Sequence, residues 1–214
     1  MNKSKRFYFL TIFMLGMIFT HLDRSNAKET NYQLMSKDRG EIVQKKILKK
    51  AKTIKTIKSD FVQTKYLSVL SEKIVSSGNF EYQANSIRWE YLKPYKYLIV
   101  LKDAEIYKKD ENDTKLKKQT LAVGSLFKEI NDILLKSLRG TLIADVDRFH
   151  VELYENHDSY LAKLIPISDK MKKHIGSMNL YFEKDRCLLL KIKILEPSKD
   201  YTKITFLNRT FSND

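Results

Sequence analysis

Residues 77–101 constrain the fold more than any other stretch of the chain, because apolar and polar side chains alternate there as they do in half-buried β-strands. Residues 83–86 interrupt the alternation with a turn-like sequence, so the pattern predicts two antiparallel strands joined by a tight turn. The apolar faces of these two strands carry Phe80, Tyr82, Ile87, Trp89 and Tyr91. An apolar sheet face has to be covered by a second layer of structure.

A third strand is predicted at residues 97–101, which are apolar on both faces. Pro94 marks the break before it, because proline cannot donate a hydrogen bond to a strand ladder. Gly78, in the first of the three strands, predicts a bulge or a close approach of another backbone. A strand that is apolar on both faces needs cover on both sides, from a packed core and a helix or from a helix and a cavity that an apolar guest can occupy.

Patterns of the same kind along the rest of the chain predict an α+β fold, with an antiparallel sheet of about nine strands and two inserted helices on one side. The first helix is indicated by apolar residues at helical spacing between Val43 and Ile54, opposite a lysine-rich face. The second helix is predicted at residues 124–138. The first strand of residues 77–101 is predicted to begin at residue 74 and to end at residue 82. The remaining strands are predicted at residues 59–70, 106–108, 149–154, 161–165, 177–183, 188–195 and 201–207, and residues 108–119 are predicted to form an exposed loop.

The N-terminus has the pattern of a secretory signal peptide. Basic residues up to Arg6 precede an apolar run at residues 7–19, and Ser25 and Ala27 place small residues where a signal peptidase reads the chain. We expect cleavage near Ala27; an uncleaved membrane anchor is the alternative, although the apolar run is short for a membrane span. Residues 1–27 are therefore predicted to be a signal peptide, residues 28–40 a polar linker, and residues 41–214 one folded domain.

The chain is strongly basic, yet apolar enough to bury a core. The formal net charge is +14 and 43% of the residues are hydrophobic. Four Lys or Arg residues and one Asp lie in residues 1–27, so cleavage would leave a net charge of +11. Export and the lack of an RNA-binding or helix-turn-helix pattern argue against nucleic acid as a partner. Anionic membrane surfaces or acidic partners fit the charge better.

No catalytic constellation is evident in the sequence. His21, His150, His157 and His174 are scattered, and there is neither a His-Glu-x-x-His motif nor a cysteine cluster that could bind a metal. A serine-hydrolase elbow and a glycine-rich phosphate loop are also missing. The single Cys187 cannot form an internal disulfide and is expected to be a small buried residue. We therefore expect a protein without enzymatic activity, cofactor or metal.

Several short motifs occur in a characteristic order. In the first half they are residues 61–63 (FVQ), 77–80 (SGNF), 87–91 (IRWEY), Pro94, 99–100 (IV) and Asp103. In the second half they are residues 164–166 (LIP), 175–182, 192–196 (IKILE), 202–206 (TKITF) and Asn208. Together these motifs resemble the LolA family of periplasmic outer-membrane lipoprotein carriers over about residues 41–211. The resemblance implies an unclosed antiparallel β-barrel whose concave apolar face is covered by helices that act as a lid.

The resemblance also implies a function. A LolA-like protein would be a monomeric carrier in the periplasm that receives acylated lipoproteins from an inner-membrane ABC-type exporter and passes them to an outer-membrane receptor. The residues that we predict to line its cavity come from the strands and the lid helix: Phe61, Phe80, Tyr82, Ile87, Trp89, Tyr91, Leu98, Val100, Leu126, Phe127, Ile130 and Leu134. Ordinary core packing is the alternative role for each of them.

The chain also departs from the family pattern. Where the family commonly has an Arg-Pro pair with a role in cargo handling, this chain has Gln83 and Ala84, so the polar contact with cargo is either absent or shifted to Arg88. This departure permits another amphiphile as cargo, such as a glycolipid or a polyene lipid. A non-carrier envelope adaptor or sensor on the same scaffold is a different possibility, and a solid core in place of a cavity would indicate it. A lipid hydrolase is the third alternative.

Overall fold

One continuous antiparallel sheet organises the described part of the chain, which in this computed structural model comprises residues 31–83, 86–102, 105–119, 132–133, 136–137 and 141–212. Its strands are β1 (Gln33–Leu34), β2 (Thr56–Leu67), β3 (Glu72–Gln83), β4 (Ser86–Lys93), β5 (Tyr97–Lys102), β6 (Glu105–Asp110), β7 (Lys117–Lys118), β8 (Phe149–Glu155), β9 (Ser159–Pro166), β10 (Ser177–Glu183), β11 (Leu189–Leu195) and β12 (Tyr201–Ser212). The described helices are α1 (Lys37–Lys52), a 3-10 helix (Thr141–Ala144) and α2 (Asp169–Lys172). None of the described helices is long and apolar enough to cross a membrane.

The strands follow the order β1-β8-β9-β10-β11-β12-β2-β3-β4-β5-β6-β7. Two-residue strands form both edges, and these edges do not pair with each other, so the sheet is open rather than a closed barrel. Short edge strands limit the unpaired backbone that another chain could add to. The predicted α+β class and the unclosed antiparallel barrel are therefore confirmed.

The two faces of the sheet differ in composition because side chains alternate along each strand. The inner face carries the buried apolar residues, including Phe61, Phe80, Leu180 and Ile192. Helix α1 buries Val43 and joins this core. The outer face carries mostly polar and charged side chains.

Helix α1 begins earlier than the sequence pattern predicts. Ser36 caps it by accepting a hydrogen bond from the Arg39 amide, and Asp38 places a negative charge in the first turn, which the helix dipole favours. Gly40 is buried inside the helix, where a Cβ atom would meet the Leu153 side chain at 3.6 Å. The prediction that residues 28–40 are a linker is thus wrong from β1 onward, because Gln33 and Leu34 form a strand and Gly40 packs against the sheet from inside the helix instead of preceding it.

Other predicted elements differ mainly in extent. The sheet has twelve strands rather than about nine, and β12 continues to Ser212 instead of ending at residue 207. Part of the predicted loop at residues 108–119 is strand, since β6 extends to Asp110 and β7 pairs with it. Most of the predicted helix at residues 124–138 lies outside the described residues; within that range residues 132, 133, 136 and 137 are helical.

An ion cluster around Glu155 joins the start of α1 to the end of β8. Arg39 donates from Nε and Nη2 to the two carboxylate oxygens at 3.0 and 2.9 Å, and Lys184 Nζ lies 3.1 Å from Oε2. The Arg39 hydrogen bonds, assisted by Lys184, lower the pKa of Glu155 from 4.5 to about 2. The deprotonated carboxylate is therefore favoured in the folded protein.

We expect Glu155→Gln to flatten the acid dependence of stability. Because the folded pKa of Glu155 lies below its unfolded value, its ion pairs stabilise the fold above about pH 4.5, and this contribution is lost as the pH falls toward about 2. Urea unfolding between pH 7 and pH 2.5 should show a smaller loss of unfolding free energy in Glu155→Gln than in the wild type. Asp158→Asn, which alters an exposed carboxylate, is the control; equal slopes for Glu155→Gln and wild type would contradict the assignment.

Candidate functional site

A cluster of aromatic rings occupies the inner face where β12, β2, β3 and β4 lie side by side. The Trp89 ring meets the rings of Phe61 and Phe80 edge-on, with centroid distances of 5.1 and 5.0 Å. Phe61 also meets Tyr91 at 4.9 Å, and Phe80 meets Phe206 at 5.5 Å. Edge-to-face pairs at these distances add to the free energy gained by burying the rings. The cluster is therefore a continuous layer of buried aromatic rings.

One end of the cluster carries its polar groups. Tyr91 and Tyr97 stack with their centroids 4.2 Å apart, and the Tyr91 hydroxyl donates to Gln63 Oε1 at 3.0 Å. Burial, followed by the effect of the neighbouring Tyr97, raises the pKa of Tyr91 well above its usual value. Both phenols stay neutral at physiological pH, which suits contact with an apolar ligand.

The structure brings together six of the predicted cavity residues on the inner face: Phe61, Phe80, Tyr82, Ile87, Trp89 and Tyr91. They share this face because the register pairs residues on neighbouring strands directly opposite one another, as with Phe80 and Trp89 or Tyr82 and Ile87. Their role in binding a ligand stays a prediction, since their burial also fits ordinary core packing. The four predicted lid residues Leu126, Phe127, Ile130 and Leu134 lie outside the described residues.

Three residues that the sequence analysis assigns to cargo contact lie on the outer face of the sheet. Val100 pairs with Arg88, and Leu98 pairs with Glu90, which puts all of them on the outer face. Arg88 forms an ion pair there, with its Nη2 3.2 Å from Glu90 Oε2. The prediction that Leu98 and Val100 line the inner face with the aromatic rings is therefore wrong, and Arg88 does not reach that face either.

The sequence patterns did not identify all of the inner-face residues that the register supplies. Ile99 pairs with Trp89 and Tyr97 with Tyr91, so the inner side of β5 is made of its odd-numbered residues. Phe206 pairs with Phe61 across β12 and β2. The alternation of apolar residues near the end of the chain signals an inner side for β12, but only the strand order places Phe206 beside Phe61.

Open clefts of about 550 and 260 Å³, lined in part by outer-face residues such as Lys191 and Glu90, lie among the described residues, and a much smaller cavity lies at the inner face. A cavity of about 20 Å³ lies between the end of α1 and the sheet, which is space for about one water molecule. Its lining is mostly apolar and consists of Ala51, Ile54, Ile57, Ser59, Phe182, Cys187, Leu188, Leu189, Phe206, Arg209 and Phe211. An acyl chain is far larger, so it can enter this region only if side chains or covering segments move.

Within the described part of the chain, two buried polar atoms of the inner face have no hydrogen-bond partner. They are the indole Nε1 of Trp89 and the hydroxyl Oγ of Ser59. The cross-strand row that runs through Phe80 contains both residues, because Phe80 pairs with Ser59 on one side and with Trp89 on the other. An unpaired buried donor costs free energy, so a ligand oxygen that accepted from either group would gain a hydrogen bond that the empty protein lacks.

The described residues show little that suggests catalysis. No group of three or more His, Cys, Asp or Glu side chains could hold a metal ion among them. Cys187 is a free, buried thiol, as the sequence predicts, and burial raises its pKa above the usual value. The His150 side chain is 69% exposed and lies on the outer face, opposite Ile165. What the inner face offers is apolar contact area with two hydrogen-bond donors.

The fold is an open α+β half-barrel whose inner face carries a cluster of aromatic rings. The sequence model of the family described as "Outer membrane lipoprotein carrier protein LolA" matches residues 52–213, about three quarters of the chain. The chain therefore belongs to the LolA family, and the resemblance seen in its sequence motifs is confirmed. No curated protein matches the chain.

Several solved structures are similar to this chain. Lipoprotein LppX from Mycobacterium tuberculosis has 12% sequence identity and a TM-score of 0.49, over 84% of this chain and 100% of that chain. The MucA/MucB complex of Pseudomonas aeruginosa has 12% identity and a TM-score of 0.47, over 82% of this chain and 57% of that chain. A putative outer membrane lipoprotein-sorting protein domain from Vibrio parahaemolyticus has 7% identity and a TM-score of 0.44, over 83% of this chain and 94% of that chain.

Proposed function

We propose that this protein is a periplasmic carrier that binds the acyl chains of lipoproteins on the inner face of its sheet and shuttles them from the inner to the outer membrane. The observation that carries this proposal is membership of the LolA family across residues 52–213. Export after cleavage near Ala27, an inner-membrane ABC-type exporter and an outer-membrane receptor are parts of the same proposal. The continuous aromatic surface around Trp89 supplies the contact area that an acyl chain requires.

A carrier must be able to release its cargo. Each methylene transferred from water to an apolar site contributes about 0.8 kcal/mol, so a fully enclosed long acyl chain would gain roughly 10 kcal/mol or more. Cargo entering this protein has to displace existing contacts, and their loss offsets part of that gain. Binding is then moderate, and the cargo can leave. The predicted lid residues Leu126, Phe127, Ile130 and Leu134 belong to this proposal as the cover that moves.

A second candidate is an envelope adaptor or sensor that uses the same scaffold without carrying lipid. The specific observation is the cavity of about 20 Å³, since a solid core is what this alternative requires. A carrier of another amphiphile, such as a glycolipid or a polyene lipid, differs from the first proposal only in its cargo.

Lipid extraction and ligand titration separate these functions. The protein purified from a bacterial periplasm is extracted with organic solvent and the extract is analysed by mass spectrometry, with an unrelated periplasmic protein as control. We expect acylated species in the extract, and binding of a fluorescent C16 fatty-acid analogue with a Kd near 1 μM, which corresponds to about 8 kcal/mol. The nature of the extracted lipid identifies the cargo class. Absence of both co-purified lipid and fatty-acid binding would favour the adaptor or sensor.

A further inference from the structure

Exposed apolar side chains concentrate in the loops at one end of the sheet. In an antiparallel sheet successive hairpin connections alternate between the two ends, so the β2–β3, β4–β5 and β6–β7 connections share an end. The register adds three neighbours to this end: residues 196–200 between β11 and β12, residues 167–176 between β9 and β10, and residues 145–148 before β8. We call these six connections the loop rim.

Hydrogen bonds hold neighbouring parts of the loop rim together. Ser68, in the β2–β3 turn, donates from its amide to Asp200 Oδ1 at 2.8 Å, and its Oγ lies 2.6 Å from Asp200 Oδ1 and 2.9 Å from the Ser198 carbonyl oxygen. The Ile167 amide donates to the Arg148 carbonyl at 2.9 Å. These contacts join the β2–β3 connection to the β11–β12 connection, and the β9–β10 connection to the segment before β8.

Seven large hydrophobic side chains at or next to these connections are more than 40% exposed: Val69 (91%), Leu70 (46%), Leu92 (41%), Tyr95 (47%), Leu116 (44%), Val146 (64%) and Ile167 (49%). At the opposite end, the described connections, residues 53–55, 156–158 and 184–188, contribute no exposed large apolar side chain, and Leu34 (65%) is the one such residue next to them, through its pairing with Tyr154. Scattered single exposed apolar residues are ordinary on a protein surface, but their concentration at one end of the sheet indicates an interaction site.

The charges of the loop rim indicate which kind of surface it meets. Several of its acidic groups are engaged locally: Asp113 pairs with Lys117, Asp145 with Arg148, and Asp200 accepts from Ser68. Among the exposed charged side chains of the six connections, lysines outnumber acidic residues by six to three: Lys96, Lys115, Lys170, Lys172, Lys173 and Lys199 against Glu111, Asp147 and Asp169. Lysines that alternate with exposed apolar side chains fit a bilayer surface. Lipid phosphates can pair with the lysine ammonium groups, and the apolar side chains can enter the boundary between head groups and acyl chains.

We infer that the loop rim is a membrane-contacting edge that docks on an anionic lipid bilayer. A bilayer accepts apolar tips spaced along an edge, whereas a protein partner would require a contiguous complementary patch. The stacked Tyr91–Tyr97 pair lies at this same end of the inner face, next to the β4–β5 turn. If the proposed function holds, docking would present the aromatic surface to lipid at the bilayer itself.

Vesicle flotation tests the rim. A chain that begins at Lys28 is used, because residues 31–214 form a compact unit by themselves. Vesicles of phosphatidylcholine with a quarter phosphatidylglycerol are compared with pure phosphatidylcholine. The rim variant combines Val69→Ser, Leu92→Ser and Leu116→Ser. The matched control combines Leu34→Ser, Ile42→Ser and Leu207→Ser, which are exposed apolar residues away from the rim.

We expect the wild type to float with the anionic vesicles and to bind pure phosphatidylcholine less well. The partition constant should fall at least tenfold in the rim variant and less than twofold in the control. Raising the salt from about 0.1 M to 0.5 M should weaken binding without abolishing it, because salt screens the lysines but not the apolar tips. No flotation of the wild type, or equal losses in the two variants, would overturn the rim assignment.

The same proteins are titrated with the fluorescent C16 fatty-acid analogue in solution. Normal fatty-acid binding by the rim variant, together with lost flotation, is the expected result. Flotation that depends on the rim without fatty-acid binding would reject the carrier function and leave the rim assignment standing. Fatty-acid binding without flotation would reject the rim assignment and leave the carrier function standing.

Discussion

Gly78→Ala is expected to lower the free energy of unfolding by about 3 kcal/mol, the upper range for overpacking a well-packed site. A Cβ atom at Gly78 would lie 1.8 Å from the Glu90 carbonyl oxygen and 2.9 Å from the Tyr91 Cα. Both contacts are with backbone, so no side-chain rotation can relieve them. The pairing of β3 with β4 is irregular at this position, with a register shift between Ser77 and Gly78.

Thermal unfolding of Gly78→Ala measures this effect. For a chain of this size about 2–4 °C accompany each kcal/mol, so the midpoint should fall by roughly 6–12 °C. Gly176→Ala is the matched control, because its Cβ would meet the nearest atom, the Leu195 carbonyl oxygen, at 3.5 Å, an ordinary contact distance. A Gly78→Ala midpoint within about 2 °C of the wild type would show that the two strands do not approach each other this closely.

Trp89→Ala is expected to cost about 3–5 kcal/mol of unfolding free energy, as large-to-small changes of buried aromatic residues do. Trp89 is 5% exposed and contacts Phe61, Phe80, Tyr91 and Phe206. Truncation would leave a void among these rings. Urea unfolding measures the loss, and Trp89→Phe, which keeps an aromatic ring, should lose less than half as much.

The same pair of variants tests the candidate site. If Trp89 contacts the acyl chain, fatty-acid affinity in folded Trp89→Phe should fall about threefold to tenfold, through the smaller ring and the lost indole donor. Val75→Ala changes an exposed apolar residue on β3 and should leave the affinity unchanged. Wild-type affinity in Trp89→Phe would remove Trp89 from the binding surface, and its burial would then be core packing alone.

The sequence predicted the strands with clear alternation well. Strand β10 spans the predicted residues 177–183, and the predicted inner set from Phe80 to Tyr91 shares one face. The close backbone approach at Gly78 was also predicted, because a glycine inside a strand commonly marks a bulge or a site where another backbone comes near. The early start of α1 was not predicted, because a glycine such as Gly40 suggests a helix boundary until its contact with Leu153 is known.

The candidate site was predicted in part. In β4 only one face is apolar, so Trp89 could be assigned to the core from the sequence. In β5 both faces are apolar, and Leu98 was chosen where the inner residues are Tyr97 and Ile99. The error arose because β5 has no polar face, so its sequence does not show which side faces the core. A shift of one residue exchanges the two faces of a strand.

By itself, then, the sequence determined the class of fold, the strand-forming segments and the family, since side-chain alternation and motif order are local properties of the chain. The tertiary structure alone decided which face of β5 is inner, that Phe206 joins Phe61, and that six connections from distant parts of the chain gather their apolar tips at one end. These features depend on strand order and register, which bring together residues far apart in sequence and which no local pattern encodes.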